Sequence, residues 1–273
     1  MWHDHWRLSG DPFPGPGSPY VRTTGHDEAL ARLVHTIEAG GRLAVLRAGA
    51  GLGKSVVLAR AILATKGPQR RFARVSFPTD GVSMLAGLAG ALGGVVPSGP
   101  GRPAAWKALG DAVKLCRWQK LHAVLVVDDC QELGDPADAR DLERLAQLDP
   151  HPSTRLTVVQ AFREPDEVDE GRGFAIPSPP AWELSIRLPP LTRSESLRFV
   201  AEKVAAAGRS TPVFTPLALV RLHDLSGGVP RGLDRLGSLA PMAGASRGLE
   251  LVTHDVVDGV ARECSLPRSG SAT

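Results

Sequence analysis

Cysteine is scarce in this sequence of 273 residues, which contains three, at Cys116, Cys130 and Cys264. They lie far apart, are odd in number and form no C-x-x-C or Cys/His ligand spacing. A disulfide framework and a zinc site are therefore not expected. Unpaired thiols are typical of a reducing compartment, so we expect a cytoplasmic protein.

Long hydrophobic runs are missing as well. The longest, VSMLAGLAGALGGVV at 82–96, is too short and too rich in glycine to span a bilayer. The first residues, MWHDHWRLSGDPF, lack the basic and then apolar order of a signal peptide. Dense runs of Lys and Arg are also absent. The net charge of +3 is therefore compatible with a nucleic-acid partner but does not indicate one.

Apolar segments with the length of strands alternate with helical periodicity through the first two thirds of the chain. Each strand is nearly all apolar, which predicts an α/β fold with a parallel sheet covered by helices on both faces. We therefore expect an N-terminal arm over 1–25 and an α/β core over 26–188. The predicted strands are 42–46, 70–77, 122–129, 154–162 and 182–188.

After Leu188 the strand pattern stops and helices follow. The first of them begins with a capping box, Thr192 with Glu195, and continues as an amphipathic helix. We therefore expect a small all-helical lid over 189–264 and a disordered tail over 265–273. The further predicted helices lie near 215–225, 230–244 and 253–264.

The segment AGAGLGKS at 48–55 nearly matches the phosphate-binding loop G-x-x-x-x-G-K-[ST], with Ala48 at its first position. It lies between a predicted strand and a predicted helix, where the backbone N–H groups of such a loop form an anion site. Lys54 would reach the β- and γ-phosphates of ATP, and the Ser55 hydroxyl would ligate Mg²⁺. Alanine is tolerated at the first position wherever its φ is negative, because the loop glycines supply positive φ. The alternative is a glycine-rich turn without chemical meaning. The predicted ATP-contacting residues are Ala48, Gly49, Ala50, Gly51, Leu52, Gly53, Lys54, Ser55 and Val56.

Two acids end the apolar segment HAVLVVDD at 122–129. Asp128 would lie at the carboxyl end of the strand, where open α/β sheets bind ligands, and would hold Mg²⁺ through water. Asp129 would orient the attacking water, a role usually given to glutamate. Its carboxylate reaches about 1 Å less far, and a misplacement of that size lowers a rate about a hundredfold. We therefore predict slow ATP hydrolysis with intact ATP binding, against the alternative of two merely solvated acids.

Five segments occur in a recognisable order along the chain: HWRLSGDPF, GHDEALARLVHTIEAG, VVDDCQEL, LPPLTRSESLRFVAEKVAAAG and GGVPRGLDRL. Together they resemble the ExeA-type AAA+ ATPases, which are related to the ORC and TniB proteins. The resemblance covers residues 6 to 264 and keeps the order of the motifs. It implies an AAA+ core with strand order 5-1-4-3-2, a helical lid, and ATP and Mg²⁺ as cofactors.

The resemblance also implies roles for individual residues. Arg231, in the lid sequence G-x-P-R, would be the sensor-2 arginine that reaches the γ-phosphate, because a guanidinium is always charged and binds phosphate bidentately. Gln160, at the end of LTVVQ, would be the polar sensor-1 residue. Phe13, Tyr20 and Val21 of the arm would line the adenine pocket, or else simply pack as part of the arm.

The chain departs from the family pattern in two places. Arg163 and Arg172 precede the last core strand, where an arginine finger would reach a neighbouring subunit of an oligomer, yet neither aligns with a motif. ExeA-type proteins of envelope secretion carry a membrane segment and a peptidoglycan-binding region after the ATPase. Neither follows in this sequence, so we expect the motor module alone.

Three functions are compatible with the sequence. The first is an ATPase of the ExeA type that remodels a protein partner in a secretion or assembly complex. The second is a TniB-like helper of DNA transposition, which would show a basic stripe and salt-dependent DNA binding. The third is a switch in which ATP orders the lid and hydrolysis hardly matters. The arginines for such a stripe would be Arg187, Arg193, Arg198, Arg209 and Arg221.

Overall fold

The computed structural model describes residues 1–15, 20–164 and 184–264, and the chain divides into two compact units. The α/β unit comprises His26–Ala50 and Lys54–Leu188. The helical unit comprises Met1–Gly25, Gly51–Gly53 and Pro189–Thr273. The N-terminal arm, predicted as a separate segment, therefore falls within the helical unit.

Five parallel strands form the sheet of the α/β unit within the described residues, in the order β2-β3-β4-β1-β5. This is the predicted AAA+ order 5-1-4-3-2 read from the opposite edge, so the fold class is confirmed. Every residue of β3 is buried, as expected for a strand covered on both faces. The strands are β1 Leu43–Ala48, β2 Arg70–Ser76, β3 His122–Asp128, β4 Leu156–Arg163 and β5 Leu184–Arg187.

Helices α4 and α7 begin at residues whose side chains cap them. The Asp80 carboxylate accepts a hydrogen bond from the Ser83 N–H at 2.8 Å, and Thr192 and Glu195 form the predicted capping box. Among the helices of the described residues, none combines the length and apolar character that crossing a bilayer requires. The helices are α1 Trp2–His5, α2 Thr24–Ala39, α3 Lys54–Thr65, α4 Gly81–Ala91, α5 Arg102–Trp118, α6 Pro136–Leu145, α7 Arg193–Ala206, α8 Pro216–Ser226, α9 Pro230–Ser246 and α10 His254–Cys264, with a 3-10 turn at Cys130–Glu132.

The core of the helical unit combines the N-terminal arm with helices α7 to α10. Trp6 is 1% exposed, and its indole N–H donates to the carbonyl oxygen of Pro241 at 2.8 Å. A Cβ on Gly237 would lie 2.8 Å from the Phe13 ring, and one on Gly244 would lie 3.0 Å from the Trp6 ring. The small residues of α9 therefore leave room for two aromatic side chains, which bury large apolar areas.

Lys203 places an ammonium group in the same core. It is 2% exposed, donates to Asp234 Oδ1 at 2.6 Å and lies 4.7 Å from the centre of the Phe199 ring. Burial raises the pKa of the Asp234 carboxyl, and the Lys203 ammonium opposes this rise. Because buried charges are tolerated only in pairs, each group of this pair depends on the other.

We expect Lys203→Met to lower the free energy of unfolding by about 3 kcal/mol, because Asp234 would keep a partly buried carboxylate without its partner. Lys107→Met is the matched control, since Lys107 donates to Asp111 at 2.7 Å but both side chains are exposed. The control should unfold like the unmodified protein. Denaturant unfolding of both variants checks the expectation, and equal losses would contradict it.

Candidate nucleotide-binding site

The loop at residues 49–53 joins β1 to α3 at the carboxyl end of the sheet. Gly51 and Gly53 have φ values of +75° and +93°, which residues with a side chain rarely adopt. Ala48 is the last residue of β1 and pairs with Arg163 of β4, so the strand extends two residues beyond its predicted end. An extended strand residue needs no positive φ, and alanine therefore fits where the motif has glycine.

Lys54 is the first residue of α3 and is 7% exposed. Its ammonium donates to the carbonyl oxygens of Ala48 at 3.2 Å and Gly49 at 3.3 Å. The lysine therefore folds back over the start of the loop. Ser55 and Val56 follow on α3 as exposed residues. Within the loop Leu52 is buried, whereas Ala50 is half-buried.

Arg231 is the second residue of α9 and belongs to the helical unit, which also includes Gly51–Gly53. Its backbone N–H donates to the Gly51 carbonyl oxygen at 3.3 Å. A Cβ on Gly51 would lie 2.8 Å from the Arg231 Cβ and 3.0 Å from Val229 Cγ1. The backbone of the predicted sensor-2 residue thus touches a loop glycine, while the reach of its guanidinium to a phosphate stays a prediction.

Gly51→Ala should cost more stability and more ATP affinity than Gly40→Ala. The φ values of the two glycines are +75° and +73°, so both substitutions carry the same backbone strain. That strain is about 1–2 kcal/mol for a residue with a side chain. Only at Gly51 would the added methyl also meet neighbouring atoms, since Gly40 has none within 4 Å. Denaturant unfolding and ATP titration of both variants provide the comparison, and equal effects would contradict the crowding at Gly51.

Asp128 ends β3 with 1% of its surface exposed. Its Oδ2 accepts a hydrogen bond from Arg74 Nη2 at 2.8 Å, and its Oδ1 accepts one from the backbone N–H of Asp129 at 3.1 Å. The two donors fix the orientation of the carboxylate. Mg²⁺ prefers oxygen ligands from one or two protein groups together with waters and phosphates. The Asp128 carboxylate and the exposed Ser55 hydroxyl are donors of that kind.

Asp129 follows in the left-handed conformation, with a φ of +57°. Strained backbone of this type is concentrated at functional sites. Its Oδ1 accepts a hydrogen bond from Gln131 Nε2 at 3.2 Å, while Gln131 Oε1 accepts one from the Arg163 backbone N–H at 2.8 Å. The Gln131 amide therefore ties the predicted water-orienting acid to the end of β4.

Sequence reasoning missed Gln131 and Arg74 as residues of this site. The signal for Gln131 was its place two residues after Asp129 in VVDDCQEL. Arg74 gave no signal, because its contact with Asp128 follows from the register of β2 against β3.

Gln160, the predicted sensor-1 residue, lies inside β4, which ends at Arg163. It is 2% exposed and in register with Val45, and its Nε2 donates to the Leu142 carbonyl oxygen at 2.8 Å. The residue of β4 in register with Ala48, just before the loop, is Arg163. This geometry favours Arg163 for a polar contact at the sheet edge, and the role of Gln160 stays a prediction.

The arm residues assigned to an adenine pocket lie in the helical unit. Phe13 and Val21 are buried in its apolar core, which corresponds to the packing alternative considered for them, and Tyr20 is half-buried. Their contact with adenine stays a prediction. Arg172 and the tail at 265–273 lie outside the described residues.

Cys130 follows the two acids and is fully buried. Burial raises the pKa of its thiol, and the thiol donates to the Val127 carbonyl oxygen at 3.3 Å. A buried thiol of this kind is inert, so Cys130 packs as a small apolar residue and is no nucleophile.

The sheet order and the loop between β1 and α3 define the AAA+ P-loop fold, and solved structures share it. Cdc6p from Pyrobaculum aerophilum has a TM-score of 0.69 and 18% identity, over 90% of this chain and 68% of that chain. The ORC1 protein of Aeropyrum pernix, in complex with DNA, has a TM-score of 0.67 and 18% identity, over 94% and 69%. The RuvB Holliday junction branch migration motor of Thermotoga maritima has a TM-score of 0.53 and 14% identity, over 96% and 76%. At these identities the likeness shows the fold alone.

No protein-family model matches the chain. In sequence it is similar to general secretion pathway protein A of Aeromonas hydrophila, with 27% identity over 271 residues. The alignment covers 97% of this chain and 49% of that protein, so the chain spans about half the length of this curated relative. The resemblance to the ExeA-type AAA+ ATPases is confirmed by this similarity.

Proposed function

We propose that the chain binds and hydrolyses ATP and couples its nucleotide state to the remodelling or switching of a protein partner. The observation that carries this proposal is the set of residues at the carboxyl ends of two strands. After β1 the loop leads to buried Lys54, and β3 ends at buried Asp128, which Asp129 follows. Open α/β sheets bind their ligands at the carboxyl ends of the strands. A glycine-rich loop before a helix N-terminus suits phosphate in particular.

The phosphates would be held by the loop and its lysine. Lys54 would exchange its bonds to the carbonyl oxygens of Ala48 and Gly49 for bonds to the β- and γ-phosphate oxygens. Ser55 and Asp128 would hold Mg²⁺, which when bound neutralises negative charge on the phosphate oxygens. The Arg231 guanidinium would add a donor for the γ-phosphate.

The attacking water would be oriented by Asp129, whose carboxylate the Gln131 amide holds. Aspartate in this role reaches less far than glutamate, which supports slow hydrolysis and keeps the nucleotide-dependent switch as the second candidate. In that reading, bound ATP itself is the signal, and its hydrolysis only resets the protein.

A secretion or assembly complex is the partner class that we propose, supported by the similarity to general secretion pathway protein A. Self-association into an oligomer is part of the same proposal, with Arg163 at the end of β4 as the described candidate for a finger. A cytoplasmic location is proposed because the three cysteines are free thiols, which is typical of a reducing compartment.

Lys54→Ala should abolish steady-state ATP hydrolysis and weaken ATP binding at least about tenfold, the value of one charge-assisted hydrogen bond. Lys66→Ala, at an exposed lysine just after α3, is the control and should leave both unchanged. Stimulation of turnover by double-stranded DNA would favour the DNA-transaction class, and indifference to DNA would favour a protein partner. An unmodified chain that binds no ATP would refute the proposal.

Asp129→Glu should raise turnover, by up to about a hundredfold, because the longer side chain moves the carboxylate toward the water. ATP affinity should stay unchanged. Asp129→Asn keeps the size of the side chain but removes the charge, and it should abolish the residual turnover. Unfolding curves verify that the backbone tolerates both variants. Equal or lower turnover in Asp129→Glu would contradict the assignment of the water-orienting role.

A further inference from the structure

Arg74 reaches the carboxylate that the proposed function assigns to magnesium. It lies on β2 two residues before Ser76, which is in register with Asp128 of β3. Residues two apart on a strand share a face, so the Arg74 side chain points to the same side of the sheet as Ser76. Its Nη2 lies 2.8 Å from Asp128 Oδ2. The aspartate side chain is 1% exposed and the arginine side chain is 31% exposed. Solvent is therefore excluded from the carboxylate but reaches the arginine side chain.

Both oxygens of Asp128 are engaged by donors of different kinds. The Asp129 N–H at Oδ1 is a neutral group fixed by the backbone, whereas the Arg74 guanidinium at Oδ2 carries a full positive charge. Charges interact more strongly where solvent is excluded. A cation that approaches Asp128 would therefore share the carboxylate with an arginine and be repelled by the charge of that arginine.

We propose that Arg74 is a positioning residue for Asp128 and that its guanidinium raises the Mg²⁺ concentration that the site requires. The inference rests on the proposed function, in which Asp128 holds Mg²⁺. Arg74 orients the carboxylate and supplies the counter-charge until a divalent cation arrives. A neutral side chain in its place leaves the cation as the only positive charge beside the carboxylate, with the Asp129 N–H still bound at Oδ1.

Arg74→Met removes the charge and the donor but keeps an unbranched apolar stem. We expect the Mg²⁺ concentration that half-saturates binding of a fluorescent ATP analogue to fall about tenfold, the effect of one unit charge a few ångströms away in a partly solvated site. Arg74→Lys keeps the charge and should stay near the value of the unmodified protein. An unchanged or increased Mg²⁺ requirement in Arg74→Met would overturn the inference.

Arg117→Met is the matched control for the loss of a buried ion pair. Arg117 Nη1 lies 2.8 Å from Asp149 Oδ1, the same length as the pair of Arg74, and the Asp149 side chain is 7% exposed. Both substitutions leave a buried carboxylate without its arginine, so both should lower the unfolding temperature. Only Arg74→Met should change the Mg²⁺ requirement, and an equal change in Arg117→Met would overturn the specific role of Arg74.

A measurement without nucleotide separates this inference from the proposed function. Millimolar Mg²⁺ alone should raise the unfolding temperature of Arg74→Met, because the cation replaces the guanidinium at Asp128. The unmodified protein and the double variant Arg74→Met/Asp128→Asn should not respond. If only Arg74→Met responds to Mg²⁺ and the unmodified protein binds no ATP, the inference on Arg74 is supported and the proposed ATPase function is refuted. If Mg²⁺ does not change the unfolding temperature of Arg74→Met and the unmodified protein binds ATP, the inference on Arg74 is overturned and the proposed ATPase function stands.

Discussion

A carboxylate sealed at the end of a buried strand is the constraint around which the site is organised. Because β3 is buried along its whole length, it delivers Asp128 to the sheet edge with almost no contact with water. A charge in that position must be met by donors within the protein. One comes from the neighbouring strand through Arg74, and the other comes from the turn at Asp129. The burial of Asp128 thus favours the binding of a cation, and it also requires Asp128 to have hydrogen-bond partners before a cation is bound.

The second acid is held by a different device, a single side-chain amide. Gln131 donates to Asp129 and accepts from the backbone of Arg163, which in turn pairs with Ala48 at the start of the phosphate loop. A contiguous set of hydrogen bonds and strand pairings therefore joins the acid, the end of β4 and the loop. Within the α/β unit, these contacts hold Asp129 and the ends of β1 and β4 beside one another, and catalytic positioning needs such supporting contacts.

The parallel α/β class, the loop and Asp128 were predictable because they depend on local patterns: apolar runs, a glycine-rich turn and acids at a strand end. The strand order was implied only by the resemblance to the ExeA-type AAA+ ATPases. Arg74 was not, since it meets Asp128 across 54 residues through the register of two strands. Gln160 shows a second limit. Its sensor-1 role is implied by the resemblance alone, and in the structure its amide donates to the Leu142 carbonyl oxygen. The partner of a buried amide is set by the packing around it, which periodicity does not show.

The contact of Trp6 with Pro241 spans 235 residues, and the whole α/β unit lies between them in sequence. On a ribosome, the aromatic rings of the arm therefore emerge before the α/β unit and cannot pack against α9 until α9 has been made. The α/β unit can fold during that interval, because domains generally fold as units while synthesis proceeds. The core of the helical unit thus forms after the α/β unit has been made, and its apolar arm is exposed to chaperones and to other chains until α9 emerges.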